Sequence, residues 1–527
     1  MAVSIARQVL IDFGRDGTYG HASADVSAYV LNASFAYGFA SPLEEVAPPA
    51  TLALTLGNFA GEWWQDNATA TFYDLLRPGL WIKLTYTYSG TAYQVWEGRL
   101  VPPVRYDANP YSGRTVTIYA TDEMDALNAQ DYVPPLARDT TADVEIRRAL
   151  EAGALAYPYH EDCWILGAST LGVNTRLPDI SGRISLEAGI ETLDYAGAFS
   201  GGEGGSTAGQ YLRELVASER GGRFFWDAQA GVWTFHNRRH GLTDVTSTRT
   251  ITQDDIQAAD VSWSAGLANR VSVNYALLQE GAASGVVWSA DNVPFMIKRG
   301  ESKEFWAGYR DTSNDAIRVA AVDYVLPVAG TDWTANTNPD GTWLDMTKDI
   351  AVYADFRADG ARVRIINNSP YNDAYITALQ LRATPLTALD NQRVERADAS
   401  SISANGYYPL AITIPWISDG DLADSYASWL LLQFSNTETR FHSITVAAEH
   451  SATSALAALA NDVGDRITVQ ETWSGHDADY FVIGKRSEDD GRVLRCTLLL
   501  RPVSTVTGWV LGVAGRSELG ESTYLVH

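Results

Sequence analysis

Ser443-Ile444-Thr445-Val446, the alanine-rich run Ala452 to Ala460, Arg466-Ile467-Thr468-Val469, Asp479-Tyr480-Phe481-Val482-Ile483 and Leu494-Arg495-Cys496-Thr497-Leu498-Leu499-Leu500 form one ordered pattern. It predicts strand, helix, strand, strand, strand, with Asn461 to Asp465 turning the chain into the second strand. β-Branched and aromatic residues between Gly, Pro, Asn and Asp clusters are the strand signal. A related pattern lies near the N-terminus. It runs Leu52-Ala53-Leu54-Thr55-Leu56, a loop, the turn Arg77-Pro78-Gly79, then Leu80 to Leu84, Tyr93 to Gly98 and Thr115 to Tyr119. In both copies a Gly turn leads into the second strand. The next connection carries Ser-Gly in each, Ser89-Gly90 and Ser474-Gly475. An internal duplication constrains architecture before chemistry. Two similar small β-barrels in one chain act as two pseudo-equivalent subunits, so three chains present six.

Working outward, the chain of 527 residues is too long for one core, and roughly three to five domains are expected. Sixteen Trp and 26 Tyr point to β structure and large contact surfaces. The 64 acids against 39 bases give a net charge of -25, which argues against a surface that grips a phosphate backbone. Cys163 and Cys496 are far apart and read as two buried free thiols. No signal-peptide core precedes Gly14, and no apolar run reaches the length of a membrane span. A soluble protein made in the cytoplasm is expected.

The sequence predicts a mainly β chain with an α+β module. A first barrel domain is expected over 1–136 and an α+β connector over 137–265. The second barrel is assembled from 266–289 and 400–505, with an inserted β-sandwich-like module over 290–399 and a tail over 506–527. Val26 to Val30 reads as a strand, and Thr140 with Asp143 as a helix-capping pair. Thr207 reads as the N-cap of a second helix, followed by a hairpin of Arg223 to Trp226 and Val232 to Phe235. Asn269 to Tyr275 alternates as a strand, and the acids of Asp419 to Asp424 precede a helix over Tyr426 to Phe434.

Candidates for chemistry are few. His160-Glu161-Asp162-Cys163 bunches metal-capable groups, but adjacent residues point different ways and read as a polar loop. Glu488-Asp489-Asp490-Gly491 lacks the spacing of a calcium loop and reads as a hairpin turn. Neither His-Glu-x-x-His nor Gly-x-Ser-x-Gly occurs. A glycosidase needs two carboxylates at a fixed separation, which sequence does not place here. No catalytic residue, metal or cofactor is therefore assigned.

Several stretches together resemble the phage tail baseplate hub proteins, a family that includes tail-associated minor tail proteins. They are Thr51 to Asn58, Arg77-Pro78-Gly79 through Glu97-Gly98, and Ala120-Thr121-Asp122. The turn at Asp227 to Gly231 with Phe235-His236-Asn237-Arg238, Asn269 to Tyr275, Asn367 to Leu381, and Gly464 to Val469 complete the set. The resemblance covers about residues 45 to 505. It implies tail-tube-like barrels and a homotrimeric ring. Six barrels of that ring would match a six-fold tail tube or distal tail protein on one side. A three-fold tip or central fibre protein would meet the other. It implies a structural virion protein of the tail tip or baseplate, not an enzyme, lining a channel through which DNA passes unheld during ejection. A negative lumen suits that passage, since it repels phosphates, and ordinary solubility is an equal explanation of the acidity. Two other classes remain open. A carbohydrate-binding adhesion protein would use Trp306, Trp333 and Trp343, and a glycoside hydrolase would use an unidentified carboxylate pair. In the tail, Trp509, Leu511 and Leu519 are the expected partner-binding residues, because a free end is poor in such side chains.

Overall fold

A computed structural model describes residues 3–107, 114–151, 181–200, 206–240, 246–264, 266–503, 507–508 and 523–524. The chain is mainly β, with several sheets and short helices. The largest sheet has twelve strands. In chain order they are β1 (Ile5–Ile11), β2 (Val30–Gly38), β3 (Thr51–Gly57), β4 (Trp81–Tyr88), β5 (Thr91–Asp107), β6 (Thr115–Thr121), β7 (Arg249–Thr252), β8 (Ile256–Trp263), β9 (Thr439–Ala447), β10 (Arg466–Glu471), β11 (His476–Asp489) and β12 (Leu494–Pro502). Their spatial order shows the duplication. The first half runs β1-β4-β5-β6-β3-β2, and the second runs β7-β10-β11-β12-β9-β8, the same order six strands later. One pairing differs: β1 is antiparallel to β4, whereas β7 is parallel to β10.

Alternation drives these strands. In β6, Val116, Ile118 and Ala120 are buried while Thr115, Thr117, Tyr119 and Thr121 are only half-buried. Such a period of two turns one face of each strand to the core. Both halves share one apolar core, in which Val9, Leu54 and Ile118 belong to the first half and Ile444, Val469 and Leu498 to the second. The connection between β9 and β10 is the helix Ala452–Leu459, capped by Ser451, whose side chain accepts from Ser454 N at 2.9 Å. At the same place in the first half, a loop stacks Trp63 on Phe72 with centroids 3.8 Å apart, both buried. A helix on one side and an aromatic pair on the other cover equivalent parts of the core.

The strand over Arg270–Glu280 does not enter this sheet. It pairs with the 24-residue strand Ala374–Ala397 and with Pro409–Ile414. Its Val271 and Val273 are fully buried in a second core with Tyr211, Phe224, Trp233, Tyr426 and Leu430. β7 and β8, read from sequence as the end of the connector, take the places in the second half instead. Alternation fixes which face of a strand is apolar, not which sheet receives it. Between Val287 and Ala383 a third core packs under a three-stranded sheet, Ser302–Gly308, Gly360–Asn367 and Ile350–Phe356.

Several local expectations shift. Val26 to Tyr29 forms a turn, not a strand, because Asp25 accepts both Ser27 N at 3.0 Å and Ser27 Oγ. The helix cap expected at Thr140 falls on Thr141, and Thr140 instead donates to Glu145 at 3.0 Å. The helix expected from Tyr426 begins at Gly420, with Asp419 accepting from Asp421 N at 2.8 Å. Thr207 caps its helix as expected, accepting from Gln210 N at 3.1 Å. Cys496 is a buried free thiol. Cys163 and His160 to Cys163 as a group lie outside the described residues. No helix among the described residues is long and apolar enough to cross a membrane.

Asp122 gives the fold a pH signature. It caps the helix Glu123–Ala129, accepting from Met124 N at 3.1 Å, and is buried. Burial pushes its carboxyl up to about 8, against the pull of backbone hydrogen bonds and with help from Glu123 and Asp125. The folded chain therefore holds a proton that the unfolded chain releases near pH 3.8. Stability from this group is full below that value and falls as pH rises through about 8. Asp122→Asn keeps the cap without the charge. Its stability relative to the wild type is expected to rise between pH 5 and pH 8.5 by on the order of 1–3 kcal/mol. Urea midpoints at the two pH values check this, and an equal gap at both would count against it.

Candidate assembly interface

The two halves of the main sheet are joined edge to edge. β2 pairs antiparallel with the second part of β11, from Ala33 opposite Asp489 to Gly38 opposite Gly484. At the glycine end the backbones come unusually close. A Cβ on Gly484 would lie 2.6 Å from Phe39 O, and one on Gly38 would lie 2.6 Å from Ile483 O. Gly38 also holds φ +86°, a conformation open to glycine. At the other end Arg7 of β1 and Tyr86 of β4 both donate to Asp489 Oδ2 at 2.8 Å. Arg7 and Asp489 are nearly closed off from water, at 15% and 8% side-chain exposure. Between these ends Lys485 is fully buried, donates to Asn461 O at 2.7 Å and lies 5.7 Å from the Tyr37 ring centroid. In the Glu488 to Gly491 turn, Asp489 Oδ1 accepts from Gly491 N at 2.8 Å, and Asp490 accepts from Arg492 and Val493 N at 2.9 Å.

The duplication makes the unpaired edges informative. Within the chain β11 serves three strands: β10 on its first part, β12 on its other side, and β2 on its second part. In the first half β5 pairs with β4 through Thr91 to Arg99 and with β6 through Arg99 to Asp107. Its second part, from Pro102 to Asp107, corresponds to the stretch of β11 that receives β2. Among the described strands that edge of β5 is unpaired. The strand equivalent to β2 is β8, which ends the sheet and pairs only with β9 among the described strands. β8 exposes Val261 at 42% and Trp263 at 69%. These lie two apart, on one face of an edge strand. An open edge with apolar side chains is a template for another chain. Pro102 and Pro103 carry no N–H, so a strand added there bonds mainly along Val104 to Asp107. At the hairpin tip between β10 and β11, Trp473 stands 95% exposed.

The expected attachment residues Trp509, Leu511 and Leu519 lie outside the described residues. On the inserted module Trp343 and Trp306 are exposed and Trp333 is buried, so the three do not form one surface. One cluster escaped the sequence reading. Glu187, His236 and His240 place ligand atoms within 4.8 Å of one another, and they are the residues with the means to hold a metal ion. Glu187 bonds His240 Nδ1 at 2.5 Å and accepts Asn237 N at 2.8 Å, and the two imidazoles stack at 3.5 Å. Burial first, then His240, lowers the His236 pKa to about 4, so it is neutral at pH 7. Only the spacing of His236 and His240 was visible in sequence, and Glu187 stands 49 residues earlier than His236.

No family model and no curated protein sequence matches the chain. Solved structures do. A tail protein from Neisseria meningitidis MC58 is 10% identical, covers 95% of this chain and 96% of its own, and superposes with a TM-score of 0.47. The 43 kDa tail protein of prophage MuSo2 from Shewanella oneidensis is 10% identical, covering 94% and 97% with a TM-score of 0.46. Prophage tail protein gp18 from Listeria monocytogenes EGD-e is 8% identical, covering 93% and 94% with a TM-score of 0.40.

Proposed function

We propose that the chain is a structural hub protein at the distal end of a phage tail. Three copies form a ring of six half-units that adapts a six-fold tail tube to a three-fold tip or fibre. The observation that carries this reading is the repeated strand order with its one occupied junction and its two complementary open edges. Within one chain the edge strand β2 of the first half adds to β11 of the second. Repeating that step between chains places β8 of one copy on the free stretch of β5 in the next. A head-to-tail contact of this kind closes into a ring or runs on as a filament. Three chains of two halves give the six positions of a tail tube. The net charge of -25 supports a channel that DNA traverses without being held. The role is structural, with no catalytic step. Negative-stain images of the purified protein, alone and with tail-tube protein, test the proposal. Three-fold rings support it, and a monomer within assembled particles overturns it.

In this proposal the tail over 506–527 is an attachment element, with Trp509, Leu511 and Leu519 on a neighbouring subunit or the tip protein. Deleting 508–527 is expected to abolish recruitment of the tip protein while leaving rings intact. Unchanged recruitment by the truncated chain would reduce the segment to a local cover.

A further inference from the structure

A pocket opens between the hairpin Arg223–Asp227 and Val232–His236, the helix Gly420–Phe434 and the second half of the main sheet. Its wall includes Arg223, His236, Arg501, Phe225, Phe481 and Trp429. These residues come from three parts of the chain. Arg223 stands directly opposite His236 in the hairpin, and Arg501 directly opposite Phe481 between β12 and β11. We propose that Arg223 and Arg501 together hold a small oxyanion, a phosphate or a carboxylate, in this pocket.

The unmet donors carry the proposal. Arg501 Nε is shut off from water and has no acceptor, and the guanidinium makes no ion pair among the described residues. It lies over the Phe481 ring, 5.4 Å from the centroid. Arg223 Nη1 is likewise buried without an acceptor, while its Nη2 donates to Pro42 O at 2.7 Å and its guanidinium lies over Phe39 at 4.7 Å. A guanidinium presents five donors in a planar fork that matches an oxyanion. Buried donors of this kind are ordinarily satisfied, and an orphan marks a missing partner. Burial brings Arg501 down to about 10, which leaves it charged at neutral pH, and burial first, then Arg501, pushes Arg223 downward. The acids that act on the pair, Glu45 and Glu44, both act on Arg223. Glu45 lies by Arg223, and its own burial raises it to about 7.

A metal ion fits the same pocket poorly. Two guanidiniums in the wall repel a cation. The imidazoles of His236 and His240 lie nearly parallel, 8° apart, with centroids 3.5 Å apart. An ion between them would sit about half that spacing off each ring plane, away from the in-plane lone pairs that metal bonding needs. Glu187 is already engaged by His240 and by Asn237 N.

Isothermal titration of the full-length protein with inorganic phosphate, with acetate, and with chloride at matched ionic strength tests the site. Saturable heat with phosphate or acetate and none with chloride is expected. Phosphate binding tighter than acetate places a free inorganic anion in the pocket, and the reverse order places a protein carboxylate there. Arg501→Met should weaken the oxyanion about tenfold or more, the effect of losing hydrogen bonds to a charged group. In chloride buffer the same variant should unfold no earlier than the wild type, because it removes a buried cation without an acceptor. Absence of saturable heat with either oxyanion overturns the proposal, as does unchanged affinity in Arg501→Met. Saturable zinc binding that His236→Asn removes, without an oxyanion response, would assign the pocket to Glu187, His236 and His240 instead.

Discussion

Gly484→Val is expected to separate the two halves of the main sheet. The added Cβ would meet Phe39 O at 2.6 Å and Tyr37 O at 3.1 Å, both backbone atoms of the neighbouring chain segment. Backbone does not swing aside as a flexible side chain does, so β2 must withdraw. Withdrawal breaks the ladder from Ala33 to Gly38 and uncovers Lys485 and the Arg7–Asp489–Tyr86 group. A buried charge that loses its partner is costly, about 3–5 kcal/mol. The expected loss is therefore about 3 kcal/mol or more for valine, and somewhat less for alanine. Urea unfolding reads the size of the effect. Hydrogen exchange reads its place: amides of 33–38 and 484–489 should lose protection before those of β4 and β5. A Gly484→Ala variant with wild-type stability and unchanged exchange at the junction would show that the close approach is not what holds the halves together.

The second large effect is on assembly. Val261 and Trp263 project from β8, whose outer edge has no partner among the described strands. Replacing Val261 by Lys and Trp263 by Ala puts a charge on that edge and removes its largest apolar side chain. Charged edge strands resist pairing, which is how many proteins keep such edges solitary. Each contact should weaken by about 2 kcal/mol or more, or roughly 30-fold in its dissociation constant. The proposed closed ring uses every contact, so the double variant should sediment as a monomer where the wild type is expected to sediment as a trimer. The fold itself should be untouched, with unfolding within about 0.5 kcal/mol of wild type, since both residues are exposed. A double variant that still forms rings of wild-type size would rule out β8 as the joining strand. A variant that fails to fold would show that this edge is covered by its own chain.

Much of this architecture was written locally. Strand alternation, the Ser451 cap of the helix Ala452–Leu459 and the turn glycines depend on neighbours a few residues away, and they predict β3 to β6 of the first half and β9 to β12 of the second. The duplication was legible for the same reason, because a repeated order of elements survives when few residues are identical. Partner choice was not legible. Asn269 to Tyr275 reads as a strand of the second half and Ile256–Trp263 falls within the connector, yet only the latter joins the main sheet. That choice rests on which core accepts Val271 and Val273, and the residues forming it are scattered from Tyr211 to Leu430. The junction of Gly38 with Gly484 and the pocket of Arg223, His236 and Arg501 likewise unite positions hundreds of residues apart. The sequence alone determined the pieces and their repetition, through short-range backbone preferences. Tertiary structure decided which edges close, which stay open and where unpaired charge collects, because those depend on long-range packing.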